Sequence, residues 1–588
     1  MKTRNALLLA GLLLLFIGIS VIFVFRSCTG QAHDNQTVRK NKTDHDPKPA
    51  STMNTRQLTT AAIATIASAS AAIGNDWPSW GGSDPGRNMY SPAKGIPTFF
   101  GPKEKNKQGR YEIQFKKNSE EIDMALTKNV KWIAKLGSQT YGNTVVAYGK
   151  VYIGTNNAGV RDPRFKDDKS VLLCLDEKMG DLIWQFTVPK LASGKVNDWE
   201  YLGFLSAPFV DGNTLYAVTS RCEVVALNAD GQKNGNTGTF KDEGQYMVGP
   251  GKPKVEVTAK DADIIWKYDM MDELGVFPHN ASNSSPLVLE DKIYVCTSNG
   301  QDWSHVTIPS PQSPSFIVLD KKTGQLLGED DAKIGPRIFH GLWTSPSAGK
   351  VDGKWQIYFG GGDGFLYAFD PNPVKEGDGS YMKTIWKFDI VPDEYKKDKT
   401  GKPYKYPAPE GPSEIIATPV VYKGHIFVAC GQDPEHGEGV GRLICIDPKG
   451  LKGDATKTKG ALVWDFKDIK RSISTIAIDP ATDLLYIGDY SGFVYCLDSK
   501  TGKLQWQHDT QAHIWGSPMV VDGKVFIGNE DGDMYVFAAS KEKKLLYQVN
   551  LGAAILATPI VANGTLFINT QTHIYAVAEG AKPEEKQK

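Results

Sequence analysis

The chain has 588 residues, with 67 Lys and Arg, 67 Asp and Glu, 40% hydrophobic residues and 59 Gly. These apolar and charged fractions are those of a globular protein, which excludes disorder over the whole chain. The zero formal net charge argues against a nucleic-acid-binding protein, because such a protein needs a basic face to displace counterions from phosphates.

The amino terminus begins with an apolar segment. Residues 6–25 carry no charge, and about 20 such residues suffice to cross a bilayer as a helix. The segment is longer than an ordinary signal core, and no clean cleavage site follows it. Residues 1–28 are therefore predicted to form a retained membrane anchor in preference to a cleaved signal, and this segment is the only expected contact with a membrane.

A second signal-like segment lies in the predicted linker, residues 29–74. Met53 precedes an uncharged stretch, Leu58 to Ile73, which ends in the small residues typical of a cleavage site. This stretch is either a secretory signal read from a start at Met53 or a low-complexity linker, and both alternatives stay open. Both predict that the folded part, from about Asn75, lies in the periplasm or another extracytoplasmic space.

A lead-in at residues 75–128 precedes a repeated pattern at residues 129–580, and a short tail follows at 581–588. Each copy has three short strands with Gly turns, then a Thr-Gly turn and a fourth strand with Trp, as in Asp483 to Trp506. Such strands form one antiparallel sheet. Eight copies of about 56 residues predict an all-β, eight-bladed β-propeller of four-stranded blades, because a radial arrangement protects the sheet edges.

The sequence also predicts how the ring closes. The eighth copy ends near Ala576 without a fourth strand, whereas an isolated strand with Trp132 precedes the first copy. We predict that this amino-terminal strand completes the last blade. Trp residues such as Trp184 and Trp506 are predicted to pack between blades. Cysteines such as Cys496 occupy a small buried position and are expected to form neither disulfides nor a metal site.

The repeated Asp/Asn-x-x-Thr-Gly-x-x-x-Trp motif and the lead-in Asp76-Trp77-Pro78-Ser79-Trp80 resemble the quinoprotein alcohol dehydrogenase-like propellers, also called pyrroloquinoline quinone (PQQ) repeat proteins. The resemblance covers about residues 76–580. It implies a funnel on one face, where active members bind PQQ beside Ca²⁺ and use an Asp as base. Motif matching assigns Asn299 to the metal, and Trp515 and Gly516 to the quinone.

Other positions depart from the family pattern. Thr344 stands where the family has its base, and a Thr hydroxyl does not accept a proton at neutral pH. Gly362 replaces the basic residue that hydrogen-bonds the quinone, and the vicinal cysteine pair is absent. An enzymatic activity, if there is one, would be that of a quinoprotein-type oxidoreductase, but ordinary alcohol oxidation is disfavoured. PQQ and Ca²⁺ stay hypothetical cofactors.

Long loops of copies one, three and five share one face of the predicted ring with the segments that lead into the first strands. We expect His340 and Trp343 to contact a cofactor or ligand there. The group Asp433, Glu435 and His436 is either a metal site, together with Asn299, or a solvated turn.

Two main functions remain open. The first is an exported propeller with a funnel site for a small ligand, quinone or metal, which predicts one deep polar and aromatic cavity shared by Asn299, His340 and Trp515. The second is a periplasmic scaffold similar to the outer-membrane assembly lipoprotein, which binds another envelope protein and predicts a shallow funnel with an apolar rim patch. A divergent PQQ-dependent dehydrogenase is a further alternative.

Overall fold

The computed structural model describes residues 76–582. In this range the chain forms eight consecutive antiparallel sheets, each built on four strands, so the predicted all-β, eight-bladed propeller is confirmed. The predicted anchor at residues 6–25 and the signal-like segment after Met53 lie outside the described residues. We number the blades 1 to 8 along the chain and call their strands innermost, second, third and outer.

The longest strands lie in blades 1 and 4. Blade 1 has Val145–Ala147, Lys150–Asn156, Lys169–Asp176 and Leu182–Pro189. Blade 2 has Phe209–Asp211, Thr214–Val218, Glu223–Asn228 and Ile264–Asp269. Blade 3 has Leu287–Leu289, Lys292–Cys296, Phe316–Asp320 and Leu326–Asp330, extended by Gly379–Met382 and Val374–Glu376. Blade 4 has Ser347–Val351, Lys354–Gly360, Phe365–Phe369 and Thr384–Asp389, extended by Gly453–Asp454.

Blades 5 to 8 follow the same order. Blade 5 has Val420–Tyr422, His425–Cys430, Arg442–Ile446 and Leu462–Phe466. Blade 6 has Ala477–Asp479, Leu484–Gly488, Phe493–Asp498 and Leu504–Asp509. Blade 7 has Met519–Val521, Lys524–Gly528, Asp533–Ala538 and Leu545–Asn550, with Tyr90–Ser91 added beside its innermost strand. Blade 8 has Ile560–Ala562, Thr565–Asn569, His573–Val577 and, from the amino-terminal side, Val130–Lys135.

Helical structure in the described range is confined to short segments in loops. The α-helices are Glu243–Val248 and Met270–Leu274. The 3-10 turns are Met124–Leu126, Gly194–Val196, Gly231–Asn234, Gly335–Arg337, Asp393–Tyr395 and Pro434–His436. A separate two-stranded sheet joins Gly101–Pro102 to Thr127–Lys128 in the lead-in.

The outer-strand Trp residues pack between blades, as predicted. The indole nitrogen of Trp464 in blade 5 donates to the carbonyl of Ser499 in blade 6 at 2.9 Å, and that of Trp506 reaches Ser540 in blade 7 at 2.9 Å. Each Trp lies opposite a small residue of its own third strand: Cys174–Trp184, Ala226–Trp266, Ala368–Trp386, Cys445–Trp464 and Cys496–Trp506. The repeat therefore places Cys or Ala there because a larger side chain would displace the indole.

The lead-in crosses the axis of the ring. Trp77 exchanges two backbone hydrogen bonds with Val146 in blade 1, and the Met89 carbonyl accepts from Val520 in blade 7. Between them, the Arg87 side chain is fully buried and donates to the carbonyls of Pro286 at 2.9 Å and Pro346 at 3.2 Å, just before blades 3 and 4. Residues 77–91 thus tie the innermost strands of many blades together.

Candidate functional site

A cavity of about 460 Å³ lies on the axis of the ring. Its wall takes residues from the segments that lead into the innermost strands of all eight blades: Tyr141, Leu205, Asn283, Trp343, Thr418, Thr475, Trp515 and Thr558. Trp80 of the lead-in also lines it and donates from its indole nitrogen to the Thr418 hydroxyl at 2.9 Å. The lead-in therefore forms the floor, and we call this space the axial cavity.

The lining of the axial cavity is aromatic and polar. The rings of Tyr141 and Trp515 lie 5.5 Å apart on one side, and the indole of Trp515 donates to Glu530 at 3.3 Å. The buried amide oxygens of Asn280 and Asn283 have no hydrogen-bonding partner in the described part of the chain. Both residues line the cavity, so these oxygens are free to accept hydrogen bonds from a ligand.

The charged side chains that line the axial cavity are all acidic. Asp433 and Glu435 contribute carboxylates, and the described lining residues include no Lys or Arg. Burial raises the pKa of Asp433 to about 6 and also raises the pKa of Glu435. The axial cavity therefore disfavours an anionic ligand and suits a neutral or cationic one.

Beside the axial cavity lies a group that we call the histidine cluster: His279, His305, His340, His436 and Asp433. His279 and His340 precede the innermost strands of blades 3 and 4, whereas the other three lie in the long loops of blades 3 and 5. The ring centroids of His340 lie 4.2 Å from those of His279, 4.9 Å from His305 and 4.7 Å from His436. Loops about 150 residues apart in sequence thus meet at one point.

Burial keeps the imidazoles of His279, His340 and His436 neutral. It lowers the pKa of His279 and of His436 to about 4, and it lowers the pKa of His340 still further, with neighbouring histidines adding to the effect. His279 Nδ1 lies 2.6 Å from the Gln301 carbonyl oxygen. Because that oxygen can only accept, Nδ1 carries the proton and Nε2 keeps its lone pair. Neutral imidazoles with free lone pairs can act as metal ligands.

Two aromatic residues hold the cluster in place. Trp343 packs on His340 at 5.2 Å and on His279 at 5.9 Å, and it also lines the axial cavity. Tyr406 packs on His340 at 5.2 Å and donates from its hydroxyl to the buried Glu414 at 3.1 Å. The histidine cluster and the axial cavity are therefore neighbours: Asp433 belongs to both, and Trp343 lies between them.

The structure brings some predicted site residues together and separates others. Trp515, Gly516 and Trp343 line the axial cavity together with Asp433 and Glu435. His340 and His436 lie in the histidine cluster with Asp433, whereas Glu435 stays on the cavity side. Sequence analysis assigned no role to His305, although its position in a long loop of the predicted face was the available signal.

The position of Asn299 differs from the predicted cavity shared by Asn299, His340 and Trp515. Its amide oxygen accepts from the Phe277 backbone nitrogen at 3.0 Å, and its amide nitrogen donates to the Ser310 carbonyl at 2.9 Å. Both polar groups are thus used to hold loops of blade 3. Asn299 lines neither the axial cavity nor the histidine cluster, so the predicted convergence of Asn299, His340 and Trp515 on one cavity is wrong.

The residues present do not fit PQQ with Ca²⁺. The cavity lacks a described cationic side chain for the carboxylates of PQQ, and at Gly362 a Cβ would lie 2.5 Å from the Gly341 carbonyl oxygen, which leaves no room for a basic side chain. Thr344, in the place of the family base, is buried and donates to the Ala417 carbonyl at 3.1 Å. The nearby nitrogen donors are also poor ligands for Ca²⁺, which prefers oxygen.

Comparison with known families agrees with the repeat pattern. The family described as PQQ_2, outer membrane protein assembly factor BamB, matches residues 125–370 and 452–545, more than half of the chain. The chain belongs to this family of PQQ-like β-propellers. No helix among the described residues is long and apolar enough to cross a membrane.

Individual relatives are more distant. The chain is 26% identical over 168 residues to the quinohemoprotein alcohol dehydrogenase ADH-IIG of Pseudomonas putida, a match over 27% of this chain and 20% of that protein. The chain thus matches about a fifth of the length of this curated relative.

Two solved structures align with the chain at low sequence identity. BamB from Moraxella catarrhalis is 13% identical with a TM-score of 0.45, over 78% of this chain and 99% of that one. Quinohemoprotein alcohol dehydrogenase from Comamonas testosteroni is 14% identical with a TM-score of 0.44, over 89% of this chain and 84% of that one. The assignment of the fold rests on the strand topology described above.

Proposed function

We propose that this protein is an extracytoplasmic binding propeller that holds a small, neutral or cationic organic molecule in the axial cavity and lacks ordinary quinoprotein alcohol dehydrogenase chemistry. The observation that carries the proposal is the lining of a single floored cavity by aromatic rings, free amide oxygens and carboxylates, with no described cation. Aromatic faces and carboxylates both favour ligands with positive or partly positive groups.

The location is inferred from two supports. Relatives include an outer membrane protein assembly factor and a quinohemoprotein dehydrogenase, and the sequence carries apolar segments at residues 6–25 and 58–73. We therefore propose export, with anchoring by residues 6–25 as a separate prediction. A tagged full-length protein should appear in the periplasmic or membrane fraction after cell fractionation, and recovery in the cytoplasmic fraction would contradict export.

Ligand class can be tested by tryptophan fluorescence, because Trp80, Trp199, Trp343 and Trp515 all line the cavity. Purified full-length protein is titrated with a panel of neutral polyols, organic amines and PQQ. We expect quenching by a neutral or cationic compound, and a roughly tenfold loss of affinity in Trp515→Ala. Trp355→Ala, in a hairpin of blade 4 outside the lining, is the matched control. Tight binding of PQQ, unaffected by Trp515→Ala, would overturn the proposal.

A second candidate function rests on the rim. Trp303 is 53% exposed and Val306 is 68% exposed, and Trp303 packs on the cavity residue Trp199 at 5.7 Å. Exposed apolar side chains at a cavity mouth are typical of docking surfaces, as a scaffold for an envelope protein would need. If the rim binds an envelope protein, the double variant Trp303→Ala with Val306→Asp should abolish co-purification of that partner and leave small-molecule binding intact. Unchanged co-purification would exclude this rim as the scaffold surface.

A further inference from the structure

We propose that the histidine cluster binds a late first-row transition-metal ion of the Zn²⁺ type. The inference does not depend on the organic ligand of the axial cavity, because it rests on a different set of side chains. It also differs from the Ca²⁺ site implied by the family resemblance, since the donors are imidazole nitrogens and the residues come from different positions.

The donor atoms are close enough to share an ion. Each of two triads, His279–His305–His340 and His340–Asp433–His436, has its ligand atoms within 4.8 Å of one another. Imidazoles bound to one ion at roughly 2.0–2.1 Å place their ring centroids about 5 Å apart. The observed centroid separations run from 4.2 Å for His279–His340 to 5.5 Å for His305–His436. The rings therefore already stand at the spacing that a shared ion requires.

Unused nitrogens support the same conclusion. Among the described residues, both ring nitrogens of His340 are buried without a hydrogen-bonding partner, as are Nε2 of His279 and of His305 and Nδ1 of His436. Burying a polar atom without a partner is unfavourable, and unpartnered nitrogens from four imidazoles in one place call for a common partner. A positively charged ion would take one lone pair from each ring, and the second nitrogen of neutral His340 would carry its proton.

The surroundings match those of known metal-bound histidines. Such residues commonly donate their second ring nitrogen to a backbone carbonyl, which fixes the tautomer. His279 does so through Nδ1 to Gln301. Trp343 and Tyr406 pack on the rings and limit their rotation. The ligand set of imidazoles with one carboxylate suits Zn²⁺, Co²⁺, Ni²⁺ or Cu²⁺ and disfavours Ca²⁺ and Mg²⁺.

The position gives such an ion access to the cavity. Asp433 belongs to one triad and also lines the axial cavity, and Asp433 Oδ2 lies 4.0 Å from His340 Nδ1. Each triad supplies three protein ligands, which is the number that leaves a position of a Zn²⁺ ion open to water or a small molecule. An ion held here would therefore lie at the wall of the axial cavity.

The test uses full-length protein stripped with a chelator and titrated with ZnCl₂, CoCl₂ and CaCl₂. We expect Zn²⁺ and Co²⁺ to bind, the latter with visible d–d absorption, and Ca²⁺ not to compete. His340→Ala removes a member of both triads, so the affinity for Zn²⁺ should fall by about 100-fold or more. His513→Ala is the matched control, because His513 lies on the same face but stacks on Tyr490.

A second variant guards against misfolding of His340→Ala. The double substitution His305→Ala with His436→Ala removes one ligand from each triad, and both residues are only partly buried. It should also abolish the Co²⁺ absorption while circular dichroism stays that of the wild type. The proposal is overturned if the wild type binds neither Zn²⁺ nor Co²⁺, if Ca²⁺ displaces them, or if a folded variant binds as the wild type does.

Discussion

Trp132 of the amino-terminal strand lies directly opposite Ala576 of the last repeat, and its indole nitrogen donates to the Glu177 carbonyl of blade 1 at 3.0 Å. This residue therefore joins the last blade, whose outer strand it belongs to, to the first blade. Its side chain is buried against Phe567 at 6.0 Å and against Gly180 of blade 1. Closure of the ring thus depends on the same kind of contact that joins the other blades.

We expect Trp132→Ala to lower the free energy of unfolding by about 3–5 kcal/mol, because it leaves a cavity where the ring closes. Chemical denaturation followed by circular dichroism measures the loss. Trp303→Ala is the control, since that indole is largely exposed and its removal should change stability by less than about 0.5 kcal/mol. Equal stabilities of the two variants would show that the backbone pairing of the amino-terminal strand with blade 8 closes the ring without help from the indole.

The role of the Thr-Gly turn at Gly502 can be tested against Gly523, a glycine of an Asp-Gly turn in blade 7. Gly502 has φ +69° and a Cβ there would lie 2.6 Å from the Trp464 ring of the preceding blade. Gly523 has φ +70° and open space around it. Gly523→Ala should cost about 1–2 kcal/mol for the left-handed backbone alone. Gly502→Ala should cost a further 1–3 kcal/mol or so for overpacking, and similar losses in both would argue against blade docking through this glycine.

The lead-in contributes to stability through Arg87. Arg87→Met leaves the Pro286 and Pro346 carbonyls without their donor, and each unpaired buried group costs about 1–3 kcal/mol. We expect the Arg87→Met variant to unfold at a lower denaturant concentration than the wild type and to be cleaved faster by proteases near residues 77–91. Arg110→Met is the control, because the Arg110 side chain is exposed and the buried Asp533, its partner at 3.4 Å, keeps hydrogen bonds from Gln548 and Asn550. Its removal should cost less than about 1 kcal/mol. A wild-type protease pattern for Arg87→Met would contradict this role.

The metal-free protein should lose stability as the pH falls. His279 has a pKa of about 4 when folded and about 6.5 when unfolded, so between these values the unfolded chain binds a proton that the folded chain does not. Its contribution is therefore largest above pH 6.5 and is lost as the pH falls toward 4.

Between pH 7 and pH 5 we expect a loss of about 2 kcal/mol from this one residue. Unfolding in the presence of a chelator at both pH values measures it. In His279→Gln the difference between the two pH values should shrink by about that amount. His425→Gln, at the start of the second strand of blade 5, should leave it unchanged. An unchanged difference in His279→Gln would mean that other groups set the acid sensitivity.

The blade architecture could be predicted because its signals are local and repeated. Turn glycines and alternating strands recur in all eight copies, six outer strands carry the Trp, and the missing fourth strand near Ala576 matches the spare strand around Trp132. The repeat also explained Cys174, Cys445 and Cys496, which the structure shows to be the small partners of Trp in the third strands. Copy three fits as well, since Gly328 replaces Trp and faces the larger Val318.

The functional face was predictable only as a set of loops. A motif assigned Asn299 to a metal, but in the fold its amide is used by Phe277 and Ser310. Conversely, His305 belongs to no motif and still lies 4.9 Å from His340.

The amino-acid order by itself determined the number of blades and their strands, because blades 1 to 7 depend on contacts within about 60 residues and with their neighbours. It also indicated closure of the ring, because the spare strand around Trp132 has the pattern that the last copy lacks. Only the tertiary structure decided that the lead-in floors the cavity and that four histidines from three blades meet. Those contacts join segments far apart in sequence, and the paths of the connecting loops, which follow no repeat, determine which side chains face each other.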